Sequence, residues 1–487
     1  MIYGTKRESD GMNSNQILNL ERLRVSQDTR QLLLRTAIII SMLALSAGAG
    51  VAVGLEKMIV ALLFGIPTVA LVGWLLLTRK FELLVLILPV TAMIAPIDIP
   101  TGTYSRIPIA LMLTIVLCVV WFATMIVRKK WSFAPTSMNR PAVVFCIVCL
   151  LSFGWSSVWR DPVINMSNFG NFTVVQVASL LTFYASIGAA VLIGNFAQSE
   201  LRLKFIFYAF IVIGTIMTVT ELLHVNTGTL LTINGLWGLW TVLPAFCYLI
   251  LQERVRWYTR ILLIGVIALN LYQTIIVNLQ WKSGWIPTII GIYVAVFLRS
   301  KKWFAVLLLA TVLAGYIGRE ELVAMTQAEE EEGADQRLGM WEINLRVVGD
   351  HWLLGTGPAG YAVYYMSYFP EDARSTHNNY LDIIAQFGIA GTIAWFWFAI
   401  AGTLEGLRLM KIAPPGFMRV LAWTATSGWI AAQSSMFLGD WLLPFAYNQT
   451  ITGFKFTVYS WIFLGTLIAI RAILASKPVE SVKEYAV

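Results

Sequence analysis

The chain has 487 residues, of which 58% are hydrophobic and only 13% charged, with a mean hydropathy of +0.72. Soluble domains carry about 25% charged residues, so the composition excludes a soluble globular protein and points to a polytopic helical membrane protein. The net charge of +8 does not imply a nucleic-acid partner, because the basic residues sit mostly in short loops between apolar runs, as membrane orientation requires.

Residues 1–31 are polar and basic. Asn15–Leu34 fits an amphipathic helix on the inner leaflet, with Ile17, Leu18, Leu20, Leu23 and Val25 on one side, and fits a disordered tail equally well. The first apolar run begins near Leu32 without a small-residue cleavage pattern, so no cleavable signal peptide is expected. Fourteen apolar runs follow, at 32–53, 58–77, 81–97, 107–127, 141–158, 173–196, 205–223, 236–251, 261–278, 285–298, 303–318, 380–402, 419–438 and 456–472. Several are shorter than the roughly 20 residues of a straight span, which makes one or two of them candidates for re-entrant segments. The expected fold class is all-α, a polytopic bundle of about 12–14 transmembrane helices with one large outer loop containing short helices. The expected divisions are a cytoplasmic tail at 1–31, eleven helices over 32–317, a loop at 318–378, three helices over 379–475 and a second cytoplasmic tail at 476–487.

Cys118, Cys146, Cys149 and Cys247 all fall inside apolar runs. Cys146 and Cys149 read as two small residues on one helix face rather than a redox or metal pair, and no disulfide is expected. With a cytoplasmic N-terminus, most of the 35 Lys and Arg lie on inner segments, including Arg79–Lys80, Arg128–Lys130, Arg254–Arg260 and Arg299–Lys302. The outer segments carry scattered ones: Lys57, Arg106, Arg160, Lys282, Arg319, Arg337, Arg346, Arg374 and Lys455. This asymmetry follows the positive-inside rule and puts 318–378 on the non-cytosolic side. Midplane polarity is limited to residues such as Gln176, Asn270, Gln273, Gln386 and Gln433, with no ionisable group near the middle of a run. Ion-coupled carriers need such groups at that depth, so the pattern favours a site at the outer interface.

The stretch Gln336–Asn379 holds two of the three histidines, His351 and His377, together with Arg337, Arg346 and Arg374. The surrounding loop is acidic, and its run Glu329–Glu332 reads as a solvated segment rather than a cation site. Residues 336–348 predict a helix with Arg337, Trp341, Asn344 or Leu345, and Val348 on one face. Gly355, Gly357, Pro358 and Gly360 mark a tight turn. Such a turn can cradle phosphate through its N–H groups, although a plain structural turn is the preferred reading. His377 follows Ser375–Thr376, residue types that cap helices, and precedes the run beginning at Tyr380. It is therefore expected in the first turn of a membrane helix, where the positive helix end favours a neutral imidazole able to act as a base. The competing reading is an interfacial histidine without a role. Lys282 stands at the outer end of the ninth run, where a lysine can also serve as a snorkelling anchor. His224, Arg106 and Arg160 read as interfacial residues only.

His377–Asn378–Asn379–Tyr380–Leu381, followed by Gly388 and Gly391, resembles the histidine motif of the O-antigen ligase and polymerase superfamily. Arg337 with Trp341, then Trp352–Leu353–Leu354–Gly355–Thr356–Gly357, resembles the segment ahead of that motif, and Trp155–Ser156 with Asp161–Pro162 resembles another family signature. The layout is similar too, with many helices and one large periplasmic loop just before the histidine helix. The resemblance covers about Phe145 to Ala401. The family often has a Ser–Arg pair at the outer end of the helix that here ends in Trp281–Lys282–Ser283, so Lys282 offers a cation without the planar fork of arginine.

The resemblance implies an inverting, metal-independent glycosyltransferase of the bacterial inner membrane, with its active site on the periplasmic side and no cofactor. Its donor would be a glycan on undecaprenyl diphosphate, and its acceptor a hydroxyl of lipid A core or of another glycan. His377 would be the catalytic base. Arg337 and Lys282 would hold the diphosphate, with Arg346, Arg374, Trp341 and Asn378 in support. The bilayer is a partner and nucleic acid is not. The alternatives are a polymerase of lipid-linked exopolysaccharide or O-antigen repeat units and, from another class, a lipid-glycan or small-solute transporter.

Overall fold

The computed structural model describes residues 81–94, 98–100, 106–159, 164, 172–226, 231, 233–320, 323, 334–368, 376–445 and 451–476. The N-terminal amphipathic segment, the first two apolar runs, Arg160, Asp161–Pro162, Glu329–Glu332 and Arg374 lie outside them, as does the side chain of Arg337.

Among the described residues there are fourteen α-helices. In chain order they are α1 (Phe81–Ile94), α2 (Ile109–Val127), α3 (Asn139–Val158), α4 (Phe172–Phe196), α5 (Glu200–Leu222), α6 (Trp237–Leu251) and α7 (Trp257–Leu271). Then come α8 (Lys282–Arg299), α9 (Lys301–Ile317), α10 (Ala334–Asp350), α11 (Gly360–Tyr368), α12 (Asn379–Ile412), α13 (Phe417–Ser435) and α14 (Phe454–Ala475). Every apolar run that falls within the described residues is a helix, and the protein is an all-α polytopic membrane protein. Among the described residues, seven segments are long and apolar enough to cross a membrane: α2, α3, α4, α5, α7 with its π-helical continuation Tyr272–Val277, α12, and α14 with the short turn Ile451–Gly453.

The sequence punctuates these helices locally. Ser199 and Ser300 cap α5 and α9 by accepting from the N–H of Arg202 and Trp303. Helix α12 stops at Ile412, ahead of Pro414 and Pro415, which cannot continue it. It therefore runs well beyond the expected 380–402 and takes Glu405 inside a helix. That carboxylate is buried, accepts a 2.8 Å bond from the Ser137 hydroxyl, and forms 3.6 Å ion pairs with Arg408 and Arg471. A short hairpin, β1 (Asp98–Pro100) against β2 (Arg106–Pro108), is held to the start of α14 by Lys455–Asp98 at 2.8 Å and by Thr452 bonding both backbone groups of Arg106. Lys455 is thereby a structural residue.

Burial follows the solvent expected of a bilayer. Helix α14 is the most enclosed span and packs on α4 and α13. Its Trp461 meets Trp395, Phe398 and Trp429 with ring centroids 5.8–6.1 Å apart, and its Phe463 stacks on Trp240 at 4.2 Å. At the rim, α9 has no buried residue and exposes Leu309, Val312 and Leu313. Such outward apolar faces suit lipid, which is as apolar as the side chains themselves.

Candidate active site at the start of helix α12

His377 is placed by a turn rather than by a helix. It lies just before α12, and its φ of 51° puts it in the left-handed region. Asn378 is the N-cap, its side chain accepting from the N–H of Tyr380 (3.0 Å) and Leu381 (3.4 Å). This corrects the expectation that Ser375–Thr376 cap the helix and that His377 belongs to its first turn. Asparagine caps well because its short carbonyl reaches the orphan N–H groups of the first turn. Thr376 pins the other side: its hydroxyl bonds the backbone of Asn378 at 2.9 and 3.2 Å, and its N–H donates to the buried Asp382 carboxylate at 3.3 Å. Non-glycine residues in this conformation are uncommon and cost about 1–3 kcal/mol. His377 is thus held, partly exposed, by neighbours that overdetermine its backbone.

The helix start is also locked from the side. Asn379 donates from its N–H to Met436 O (2.8 Å) and from its amide to Leu443 O (2.9 Å), and it accepts from the N–H of Leu442 and Leu443. The Tyr380 hydroxyl donates to Gln433 O at 2.9 Å. The segment after α13 therefore buttresses the histidine turn. The same segment carries Trp441, which meets Trp281 edge-on at 5.6 Å. Trp281 is the N-cap of α8, and Lys282 is the first residue of that helix. The sequence leads one to expect Lys282 at the outer end of the preceding helix. Instead the chain leaves the π segment at Val277 and turns before Lys282 begins the next one.

Helix α12 is broken at Gly388, where φ is 63° and ψ −166°. The break turns the N–H groups of Ile389 and Ala390 away from the carbonyls of Ala385 and Gln386. The turn after α10 replaces both bonds. Ile389 and Ala390 donate to Trp352 O (2.8 Å) and Leu353 O (3.2 Å), while Thr356 and Gly357 donate to Ala385 O and Gln386 O (both 2.9 Å). Ser152 of α3 adds bonds to the carbonyls of Leu354 (2.6 Å) and Gln386 (2.7 Å), and the Gln386 side chain accepts from Ala359 N–H at 2.7 Å. Non-helical backbone at membrane depth is tolerated when protein satisfies it in this way. A Cβ at Gly388 would stand 2.3 Å from Leu353 backbone, and one at Gly355 would stand 2.4 Å from that of Gln386. The glycine-rich turn is a structural clamp. The N–H groups of Gly355, Thr356, Gly357, Ala359 and Gly360 are all engaged within the protein, which leaves no phosphate cradle there.

Helix α10 lies against α12 and joins the clamp to the histidine turn. The Trp341 indole N–H donates to Thr376 O at 2.9 Å, next to His377. The Tyr361 hydroxyl donates to Met340 O at 2.9 Å. Burial, with the Asp382 carboxylate and Tyr365 nearby, pushes that phenol well above its ordinary value, so it remains a neutral donor. Met340, Val347, Tyr361, Tyr364, Tyr365 and Ala385 form a small core beneath these contacts. Arg337 lies one turn before Trp341 on the same helix. Arg346 is not brought to the histidine: its side chain is 73% exposed and pairs with Glu342 at 2.6 Å.

Nothing in the sequence pattern assigns Asp382 or the segment that follows α13 to the histidine turn they hold. A signal existed for the helix break, since Gln386 and Gly388 interrupt an otherwise apolar run. None existed for the buttress, because Trp441–Leu443 reads as ordinary interfacial sequence. Residues 261–396 match the model of the O-antigen ligase family. The match supports the O-antigen ligase superfamily and a glycosyltransferase-like function of the ligase and polymerase type. It holds Lys282, Arg337 and His377, and it is narrower than the stretch from Phe145 to Ala401, leaving Trp155–Ser156 outside. No curated protein matches the chain.

Proposed function

We propose that the protein is an O-antigen ligase-like transferase that moves a glycan from undecaprenyl diphosphate to an acceptor hydroxyl on the non-cytosolic face of the bacterial inner membrane. The observation that carries this reading is the family match over 261–396, which spans the histidine, the arginine and the lysine of the site. His377 takes the proton of the acceptor hydroxyl as its oxygen bonds the anomeric carbon, and the bond from that carbon to the diphosphate oxygen breaks. Single displacement inverts the anomeric centre. The electron pair leaves with undecaprenyl diphosphate, whose charge Arg337 and Lys282 offset, with Arg374 in reserve. Trp341 and Asn378 hold the histidine turn. Charge stabilisation is assigned to these cations, so transfer proceeds without a divalent metal.

The test is reconstitution in bilayers with an undecaprenyl-diphosphate glycan, with lipid A core and a second lipid-linked glycan as separate acceptors. Transfer is read by gel shift and donor binding is read separately. His377→Ala is expected to lower turnover by about 10²–10⁴-fold with donor affinity retained, because a general base acts on the acceptor. Arg337→Ala is expected to weaken donor binding as well as rate, since the diphosphate is charged in ground and transition states alike. Near-normal transfer by His377→Ala removes the base from this mechanism. Elongation of the lipid-linked glycan in place of lipid A core modification identifies a polymerase, and inhibition by EDTA overturns metal independence.

A further inference from the structure

Helix α10 is not among the membrane-spanning segments, yet it carries an apolar stripe. Leu338, Leu345 and Trp352 are each more than half exposed and stand seven residues apart. Seven residues are nearly two full turns, so the three share one line along the helix. The helical hand continues past Asp350, since His351 N–H donates to Val347 O (3.0 Å) and Gly355 N–H to His351 O (2.9 Å), so Trp352 keeps that register. Glu342, Arg346 and Asp350, four residues apart, are also exposed and form a second line beside the first. The opposite face, with Met340, Asn344 and Val347, is buried within the protein. The exposed side of α10 is thus itself divided, apolar along one edge and charged along the other.

The two ends of α10 fix where that side lies. Tyr380 stacks on Phe396 with ring centroids 5.5 Å apart, although the two stand eight residues either side of Gly388. In an unbroken helix they would be about 24 Å apart. The break therefore bends 379–387 back toward the membrane-spanning part of α12. That part is apolar on its outward face, where Ile389, Ile393, Phe396 and Ile400 are exposed. Helix α10 follows the bent segment. Near one end the Trp341 indole bonds Thr376 O at 2.9 Å, four residues from Tyr380, and at the other Trp352 O accepts from Ile389 N–H at 2.8 Å. Both ends are pinned beside the lipid-facing surface of α12, and exposed Trp352 continues directly into exposed Ile389.

Two leucines and a tryptophan left in water would each forgo roughly 1.5–3 kcal/mol of burial. A helix with an apolar edge, a charged edge and a tryptophan at one end suits the plane of a membrane interface, where indole rings also concentrate. We propose that α10 is an interfacial helix, its Leu338–Leu345–Trp352 edge lying in the non-cytosolic leaflet and its Glu342–Arg346–Asp350 edge in water. The loop expected to stand clear of the bilayer then rests on it, and through Trp341 the lipid surface helps to hold the histidine turn. The inference goes beyond the transferase reading and stands or falls separately from it.

The experiment uses full-length protein in nanodiscs of phosphatidylethanolamine and phosphatidylglycerol. A nitroxide is attached at Leu338→Cys and Leu345→Cys on the apolar edge, and at Arg346→Cys and Asp350→Cys on the charged edge. The unsubstituted protein, with Cys118, Cys146, Cys149 and Cys247, is taken through the same labelling to set the background. Collisions with oxygen, which partitions into lipid, are compared with collisions with a water-soluble nickel chelate. The two leucine positions are expected to favour oxygen and the two charged-edge positions the chelate. An environment-sensitive dye at the same four cysteines, with doxyl-labelled lipid as quencher, is an independent measurement: quenching is expected at the leucine positions alone. Every other pattern overturns the proposal. Preference for the chelate at all four positions puts the stripe in water, and preference for oxygen at all four puts the whole helix in lipid. Protection of the leucine positions from both agents shows that protein covers the stripe, either another segment of the chain or a second copy.

Discussion

At the scale of single residues, the proposed site depends on how His377 and Lys282 are held. His377 owes its place to Thr376, Asn378 and Asp382, each bonding backbone within the turn. Lys282 opens α8 beside Trp281, whose ring lies over the first turn of that helix within 2.6–2.9 Å of where a Gly284 Cβ would stand. In the proposed donor site a lysine meets phosphate as a point charge, whereas arginine offers two parallel donors. Lys282→Arg is therefore expected to keep transfer and tighten donor binding a few-fold. Lys282→Ala is expected to weaken donor binding about tenfold or more, as for loss of one charge-assisted bond. Titration of undecaprenyl diphosphate against each variant checks both, and equal affinities across the three proteins would remove Lys282 from the donor site.

At the scale of elements, the controlling feature is the broken helix and the turn that closes it. Gly388→Ala puts a methyl group into Leu353 backbone at a positive φ, so it is expected to destabilise the protein by more than about 3 kcal/mol. Gly265→Ala, in α7 with nothing within 4 Å of the added carbon, is expected to be neutral or stabilising by about 0.5–1 kcal/mol. Thermal unfolding of the two purified variants in one detergent checks the contrast, and similar melting temperatures would show that the break tolerates a side chain. The elements themselves were legible in sequence, because long apolar runs and short polar gaps have one helical solution in lipid. Helix α10 was legible too, from the spacing of Arg337, Trp341 and Val348. The break left only a slight mark, Gln386 and Gly388 interrupting the run, and a glycine in an apolar run usually remains helical. Only the pairing of 385–390 with 352–357, distant in sequence, shows why Gly355 and Gly388 are glycines, and the approach of Ser156 shows it for Gly357. The cap failed for a local reason: threonine and asparagine both suit an N-cap, and the Thr376 hydroxyl is used on Asn378 instead.

At the scale of the whole molecule, the two ends of α12 are fastened independently. One end meets the segment after α13. Toward the other, Glu405 draws together Ser137 ahead of α3, Arg408 and, on α14, Arg471. Both arginines remain substantially exposed, at 59% and 37%, so solvent screens the pairs and their worth is modest. The buried carboxylate itself still needs its hydroxyl partner. Glu405→Gln is expected to cost about 1–2 kcal/mol of stability and to leave undecaprenyl diphosphate affinity unchanged, because roughly 25 Å of helix separates it from Gly388 at 1.5 Å per residue. Melting and donor titration on the same preparation check this, and a loss of affinity at unchanged stability would show that the two ends communicate. Composition predicted a bundle, and Glu405 was missed only because its helix outran the apolar run that announced it.

The clamp at Gly388 also bears on how the protein is made. A nascent α12 that already carries the break cannot rest alone in lipid, because its peptide groups there would face hydrocarbon unbonded, at several kcal/mol each. The backbone that relieves them lies upstream in the chain, at Trp352–Gly357, and so has left the ribosome first. Breaking of α12 and docking of that turn are therefore one event rather than two. The histidine turn lies only eleven residues ahead of Gly388 in the same chain, so the step that fixes the break also fixes where that turn begins.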